Sequence, residues 1–247
     1  MEKRTGTYGN VAGFLSERML RTAAMVSHGN RTADVGCDHA YTSIYLIKQG
    51  IAPQVVAMDV NAGPLARAKE NVVKFGCEEQ ISLRLSDGLA ALAPGEADTI
   101  LIAGMGGPLT ERILSAFPET LKTVKELVLQ PQSEIAEVRR FLHRGGFRIT
   151  AEDMLSEDGK YYVILRAEHG SEEAWTEEEY LFGKHLLHAA SPVLSEFLEK
   201  ERKKTEELSA GLALADTEKA NERREELERY LKQLQIASDR TKHDNVL

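Results

Sequence analysis

Between residues 31 and 168, short apolar runs recur with helix-length segments between them. Nothing else in the chain limits its fold as much as this alternation. The runs are Thr32–Gly36, Gln54–Asp59, Ile81–Leu85, Thr99–Ala103, Glu126–Gln130, Phe147–Leu155 and Tyr161–Ala167. The first five are short and apolar, which suits strands covered on both faces. Strands joined by helices read as βαβ units, hence a parallel sheet with helices on both sides. The last two runs flank Ser156-Glu157-Asp158-Gly159-Lys160, a turn sequence that predicts an antiparallel hairpin. Ahead of the sheet, Phe14–Val26 reads as a helix with Ser16 as its N-cap and Glu17 in its first turn.

Beyond Gly170 the character changes. Leu194, Leu198, Thr205, Leu208 and Leu212 form one stripe, and Leu227, Tyr230, Leu231 and Leu234 a second, with charged residues between. Two amphipathic helices with a break near Asp216 are expected, either a self-packed hairpin or a coiled-coil-like arm. The expected division is residues 1–170 for the α/β domain and 171–247 for a helical C-terminal domain. With 247 residues and 42% apolar content the chain can build both. It has two cysteines, no apolar run of membrane-spanning length, and a polar amino terminus unlike a signal peptide. A cytoplasmic protein is expected, with no membrane and no metal as partner. The net charge is −8, most of the excess acid lying beyond residue 170. Any nucleic-acid contact must therefore rest on local basic patches.

In an open α/β sheet, ligands bind beyond the carboxyl ends of the strands. Four loops there are unusual. The first, Asp34-Val35-Gly36-Cys37-Asp38-His39-Ala40-Tyr41, has one glycine where a dinucleotide fingerprint has three. Its two carboxylates would repel a pyrophosphate but suit a ligand bearing an amine and a sulfonium, the charge character of S-adenosylmethionine. Asp59 closes the second run and can accept ribose hydroxyl hydrogens; it can equally cap the next helix, a place Asn61 could also fill. Asp87, in Ser86-Asp87-Gly88, can accept from an adenine amino group, or sit in a plain turn. Ala103-Gly104-Met105-Gly106-Gly107 removes side chains where something flat must approach, or is simply flexible. A parallel sheet that closes with an antiparallel hairpin also separates methyltransferases of seven strands from dehydrogenases, which usually close with another parallel strand.

Leu15-Ser-Glu-Arg-Met19, Asp34–Tyr41, Ser86-Asp-Gly-Leu89, Ile102-Ala-Gly-Met-Gly-Gly107 and Leu129-Gln-Pro-Gln132 together resemble the bacterial tRNA (adenine-22-N1)-methyltransferases. The resemblance runs in motif order over residues 14–168. It implies a Rossmann-like seven-stranded methyltransferase sheet followed by a helical, coiled-coil-like domain. It also implies S-adenosylmethionine as cofactor, and N1 of an adenine in the D-arm of tRNA as target. The cofactor contacts it implies are Arg18, Asp34, Gly36, Asp38, His39, Asp59, Val60, Asp87, Gly88, Gly104 and Met105, with Asp38 matching the catalytic aspartate. An Asn-Pro-Pro-Tyr type motif is absent after the fourth run, which favours a ring nitrogen over an exocyclic amine.

Adenine N1 has an in-plane lone pair and needs alignment more than a strong base. As it gains the methyl group its amino group becomes more acidic, and Asp38 could accept a hydrogen bond from that group and later its proton. His39 could orient Asp38 or touch the cofactor, or merely bond backbone. The base must leave its stack. Tyr41 could stack on it or face the core, and Gln130, with Pro131 and Gln132 beyond it, could read a purine edge or terminate a strand. Arg18 and Arg21 form one basic group. Arg139, Arg140, His143, Arg144 and Arg148 form another, and Lys200, Arg202, Lys203 and Lys204 a third. Each could equally be a solvated helix face. A methyltransferase for a small molecule or protein, a catalytically silent RNA-binding module and a nicotinamide enzyme remain as alternative readings.

Overall fold

The computed structural model describes residues 11–212 and 217–243. Its strands are β1 (Thr32–Val35), β2 (Val55–Asp59), β3 (Ile81–Leu85), β4 (Thr99–Met105), β5 (Glu126–Pro131), β6 (Phe147–Glu157) and β7 (Lys160–His169). They form one seven-stranded sheet in the order β3-β2-β1-β4-β5-β7-β6. β3, β2, β1, β4 and β5 pair in parallel, and β7 runs antiparallel to β5. The hairpin turns through Asp158 (φ 51°) and Gly159 (φ 74°). Two successive positive φ angles make the primed turn that Asp-Gly favours.

The helices are α1 (Glu17–Ala24), α2 (Tyr41–Lys48), α3 (Ala62–Lys74), α4 (Gly107–Ser115), α5 (Pro118–Leu121), α6 (Ile135–Arg144), α7 (Glu177–Phe182), α8 (Lys184–His188), α9 (Pro192–Leu212) and α10 (Glu218–His243). α1 is shorter than its apolar pattern suggested. Ser16 Oγ accepts from Met19 N at 3.4 Å, so the helix starts at Glu17, and Phe14 falls in a separate 3-10 turn, Val11–Phe14. Every residue of β1, β2 and β5 is buried, as a sheet covered on both faces requires. β3, at the edge, buries only its first residue.

The chain forms two compact units. One runs to Ala151 and includes Tyr162–Ser171; the other joins Glu152–Tyr161, the tip of the hairpin, to the chain from Glu172 onward. In the second unit Tyr161 donates to Glu196 at 2.7 Å, and Arg240 pairs with Glu178 and Glu179 at 3.2 and 2.9 Å. Leu194, Leu198 and Thr205 are buried on α9, whereas Leu208 is half-exposed and leaves the stripe read from the sequence. On α10 the buried face is Ala220, Leu227, Leu234, Ala237 and Thr241, close to a heptad rhythm. The break expected near Asp216 lies outside the described residues.

Candidate active site

Three residues at alternate positions shape the loop after β1. Gly36, Asp38 and Ala40 have φ of 77°, 48° and 57°. A left-handed backbone is inexpensive for glycine and costs an alanine about 1–2 kcal/mol. The Gly36 and Cys37 amides both donate to Met58 O at 2.8 and 2.9 Å, tying the loop to the end of β2. Asp38 N donates to one carboxylate oxygen of Asp59 at 3.2 Å, and Asn61 N donates to the other at 2.8 Å. Asp59 therefore joins two strand-end loops. Asn61 holds the N-cap position of α3 without a side-chain bond.

Asp34 is buried inside β1, where Ser43 Oγ donates to it at 2.6 Å. Burial pushes its carboxyl up to about 6, against the Ser43 hydrogen bond and with the Asp59 charge adding to the rise. Burial also drives the Cys37 thiol far up, beside Asp34 and Asp59, so it stays a thiol and is no nucleophile. Asp38 projects outward, its side chain 65% exposed, with His39 Nε2 3.6 Å away. Tyr41 stacks on Phe14, ring centroids 4.9 Å apart and nearly parallel.

β4 carries a bulge between Ala103 and Met105, and Gly104 (φ 78°) is the extra residue. Its amide donates to Gln130 Oε1 at 3.1 Å, and the same oxygen accepts from Arg18 Nη1 at 2.6 Å. Arg18 also lies over the Tyr162 ring at 4.9 Å. Beyond the bulge Met105 turns back onto Gly36: a Cβ there would collide with Met105 Cε.

Two clefts adjoin at Gly36. The first, about 340 Å³, is lined by Arg18, Asp34, Gly36, Asp38, His39, Tyr41 and Gly104 among others. The second, about 430 Å³, is lined by Asp59, Val60, Asp87, Gly88 and Met105 together with Leu109, Arg112 and Ile113. All eleven residues read as cofactor contacts thus border one cleft or the other. Of the substrate-side residues, Tyr41 lines the first cleft. Gln130 and Pro131 are buried in the end of β5 and line neither; the exposed amide near Gly104 is that of Gln132. Arg21 is half-buried on α1 and also lines neither. Of the three glycines in Gly104–Gly107, only Gly104 borders a cleft. A Cβ on Gly107 would strike Ser133 O at 2.6 Å, so that glycine serves close backbone packing.

The basic groups are less available than their sequence suggests. Arg139 is 1% exposed, inside the fold. Arg140 and Arg148 pair with Glu137 and Glu168 at 3.9 and 3.4 Å. Arg202 pairs with Glu199 and Glu206, Lys203 with Glu199 and Lys204 with Glu201, and Lys200 lies over the Tyr161 ring. Sequence reasoning missed Phe14, Leu15 and Met19 in the first cleft, and Leu109, Arg112 and Ile113 in the second. The latter three follow Gly107 within two helical turns, a position beyond a strand end that could have drawn notice. Among the described residues no cluster of three metal-ligating side chains occurs, and no helix is long and apolar enough to cross a membrane.

The strand order, the closing hairpin and paired clefts at the carboxyl strand ends define a Rossmann-like methyltransferase fold. The family model described as tRNA (adenine(22)-N(1))-methyltransferase matches residues 32–236, and the chain belongs to that family. The tRNA (adenine(22)-N(1))-methyltransferase of Bacillus subtilis is 39% identical over 160 residues, 65% of this chain and 67% of that one. The crystal structure of the Bacillus subtilis m1A22 tRNA methyltransferase superposes with a TM-score of 0.83 at 32% identity, covering 91% of this chain and 98% of that one. A Streptococcus pneumoniae protein in complex with S-adenosyl-L-methionine superposes with a TM-score of 0.81 at 35% identity, covering 91% and 99%.

Proposed function

We propose that this chain transfers a methyl group from S-adenosylmethionine to N1 of adenine 22 in the D-arm of tRNA, in the cytoplasm. The observation that carries the reading is the pair of clefts joined at Gly36, with carboxylates in both. The residues fit the cofactor. Asp59 offers acceptors for a ribose, Asp87 an acceptor for an adenine amino group, and Val60 and Ile113 apolar surface for a flat ring. Asp34 and Asp38 supply negative charge for an amine and a sulfonium, and Arg18 a guanidinium for a carboxylate. Once bound, the cofactor supplies an electrophilic methyl group on a positively charged sulfur.

The protein's part is alignment and charge. Arg18 is held by Gln130 and stacked on Tyr162, so its guanidinium is fixed before any ligand arrives. Buried Gln130 is therefore a positioning residue in this reading, through its bonds to Arg18 and Gly104, and no direct reader of the base. Asp38, exposed in the first cleft, accepts a hydrogen bond from the target amino group and stabilises the positive charge that builds on the purine. It can then take that group's proton, with His39 beside it. We assign the chemistry to residues 1–170. The helical part, 171–247, with the hairpin tip 152–161, is assigned to a coiled-coil-like arm that engages the RNA.

The test is to incubate the protein with unmodified tRNA and isotopically labelled cofactor, then map the product by nucleoside mass spectrometry. The expected product is 1-methyladenosine at position 22. Label in another base, or none in tRNA, overturns the reading.

A further inference from the structure

Phe14 is a large apolar side chain left 49% exposed at the first cleft. It lies in the turn Val11–Phe14, just ahead of the Ser16 cap, and borders the same cleft as Asp38, His39 and Arg18. Scattered exposed apolar side chains need no explanation. This one differs because its ring is held. Tyr41 stacks on it at 4.9 Å, and buried Phe75 meets it edge-on at 6.0 Å. The ammonium of Lys74, an exposed residue, lies 5.4 Å from its centroid. A ring that already attracts a cation presents an electron-rich face.

We propose that Phe14 is the stacking platform for the extruded target adenine. The proposal rests on the reading that an adenine of RNA is the substrate. A base taken out of its helix must regain stacking, and proteins that bind splayed-out bases supply it from aromatic side chains. Tyr41 was the candidate in the sequence, but Phe14 covers one of its faces. Phe14 is the more exposed of the two rings, and Tyr41 backs it. Where the cofactor's nucleoside occupies the cleft of Asp59 and Asp87, the cleft of Asp38 is left for the methionine end and one flat base. Stacking there displaces the exposed Lys74 ammonium, a weaker contact than a base.

The platform also acts on the chemistry. The N1 lone pair forms the new N–C bond while the methyl–sulfur bond breaks and its electron pair stays on sulfur. Positive charge thus passes from sulfur to the purine, and a proton later leaves the amino group. The Phe14 face attracts the cationic purine more than the neutral one, so it favours the transition state over the bound substrate.

The experiment compares wild type, Phe14→Ala, Phe14→Leu and Phe14→Trp with unmodified tRNA, and measures cofactor affinity by calorimetry. Phe14→Ala is expected to lose about tenfold or more in kcat/KM for tRNA, with kcat falling too, while cofactor affinity stays within about twofold. Phe14→Leu keeps the apolar bulk and is expected to lose as much; Phe14→Trp is expected to recover most of the rate. Wild-type rates in the Ala or Leu variant overturn the platform, as does a Trp variant no better than Ala. Equal losses in cofactor affinity and turnover also overturn it, because they mark a purely structural role. If wild type binds cofactor yet forms no 1-methyladenosine in tRNA, the substrate reading has failed, and the platform with it.

Discussion

The two ends of the sheet use carboxylates in opposite ways. At the amino ends of the strands acids are satisfied within the protein. Asp98 accepts from the Arg31 amide at 3.0 Å and the Arg31 side chain at 2.9 Å, with Lys125 3.3 Å away. These partners hold its carboxyl well below the usual carboxylate range. Buried Glu126 accepts from the Ser27 amide and hydroxyl and from Thr99, and Glu96 is paired with Arg84. At the carboxyl ends, Asp34 is held by a hydroxyl and Asp59 by two amides, and Asp38 faces solvent. Asp98 and Glu96 with their cationic partners, and Glu126 with its neutral donors, fasten the fold. Acids that border a cleft on neutral hydrogen bonds reserve their charge for a cationic ligand.

Substitutions can break this contrast. The largest effect is expected from Asp38→Ala. Methyl transfer to tRNA should fall by about a hundredfold or more in kcat, while cofactor binding, measured by calorimetry, should survive at reduced affinity because one of the two cleft carboxylates remains. Full turnover would remove Asp38 from the chemistry. Next comes Asp34→Asn in the ligand-free protein. The folded state keeps the Asp34 proton up to about pH 6, whereas the unfolded chain releases it near pH 4. Stability therefore declines as pH rises across that window, by about 3 kcal/mol at pH 7. Urea unfolding at pH 7 should show Asp34→Asn more stable than wild type by up to that amount, the gain vanishing below about pH 4. A destabilised variant would contradict the contrast. Asp98→Ala should do the reverse, costing about 2 kcal/mol at pH 7. Because the Asp98 pKa is depressed, its contribution is present above about pH 4 and lost as pH falls through the native value. The same urea curves check it.

Much of the frame was legible in the sequence because a doubly covered parallel sheet demands continuous apolar runs. β1, β2 and β3 lie within a residue of where those runs ended. The hairpin turn was legible because Asp-Gly suits few other geometries. What direction a side chain takes at a strand end was not. The bulge at Gly104 shifts the register there, sends Met105 back onto Gly36 and brings the Gly104 amide to buried Gln130. Arg139 was legible in part: Ile135, Val138, Arg139 and Leu142 follow the spacing of one helix face, so its place on the buried stripe could be read, although its charge argued otherwise. The Ser16 cap was legible and is found, but Phe14, counted with the helix by its periodicity, lies ahead of that cap in a turn of its own, where its place at the cleft was not legible.

The most direct test of the contrast between the two ends is calorimetric titration of S-adenosylmethionine between pH 5 and pH 7 with wild type and Asp34→Asn. Ionised Asp34 favours a cationic ligand, so wild-type affinity should rise as pH passes about 6. The variant should bind more weakly at pH 7 and lose that rise. Equal affinity and equal pH dependence in the two proteins would contradict the claim that the acids at the carboxyl ends are held for a ligand.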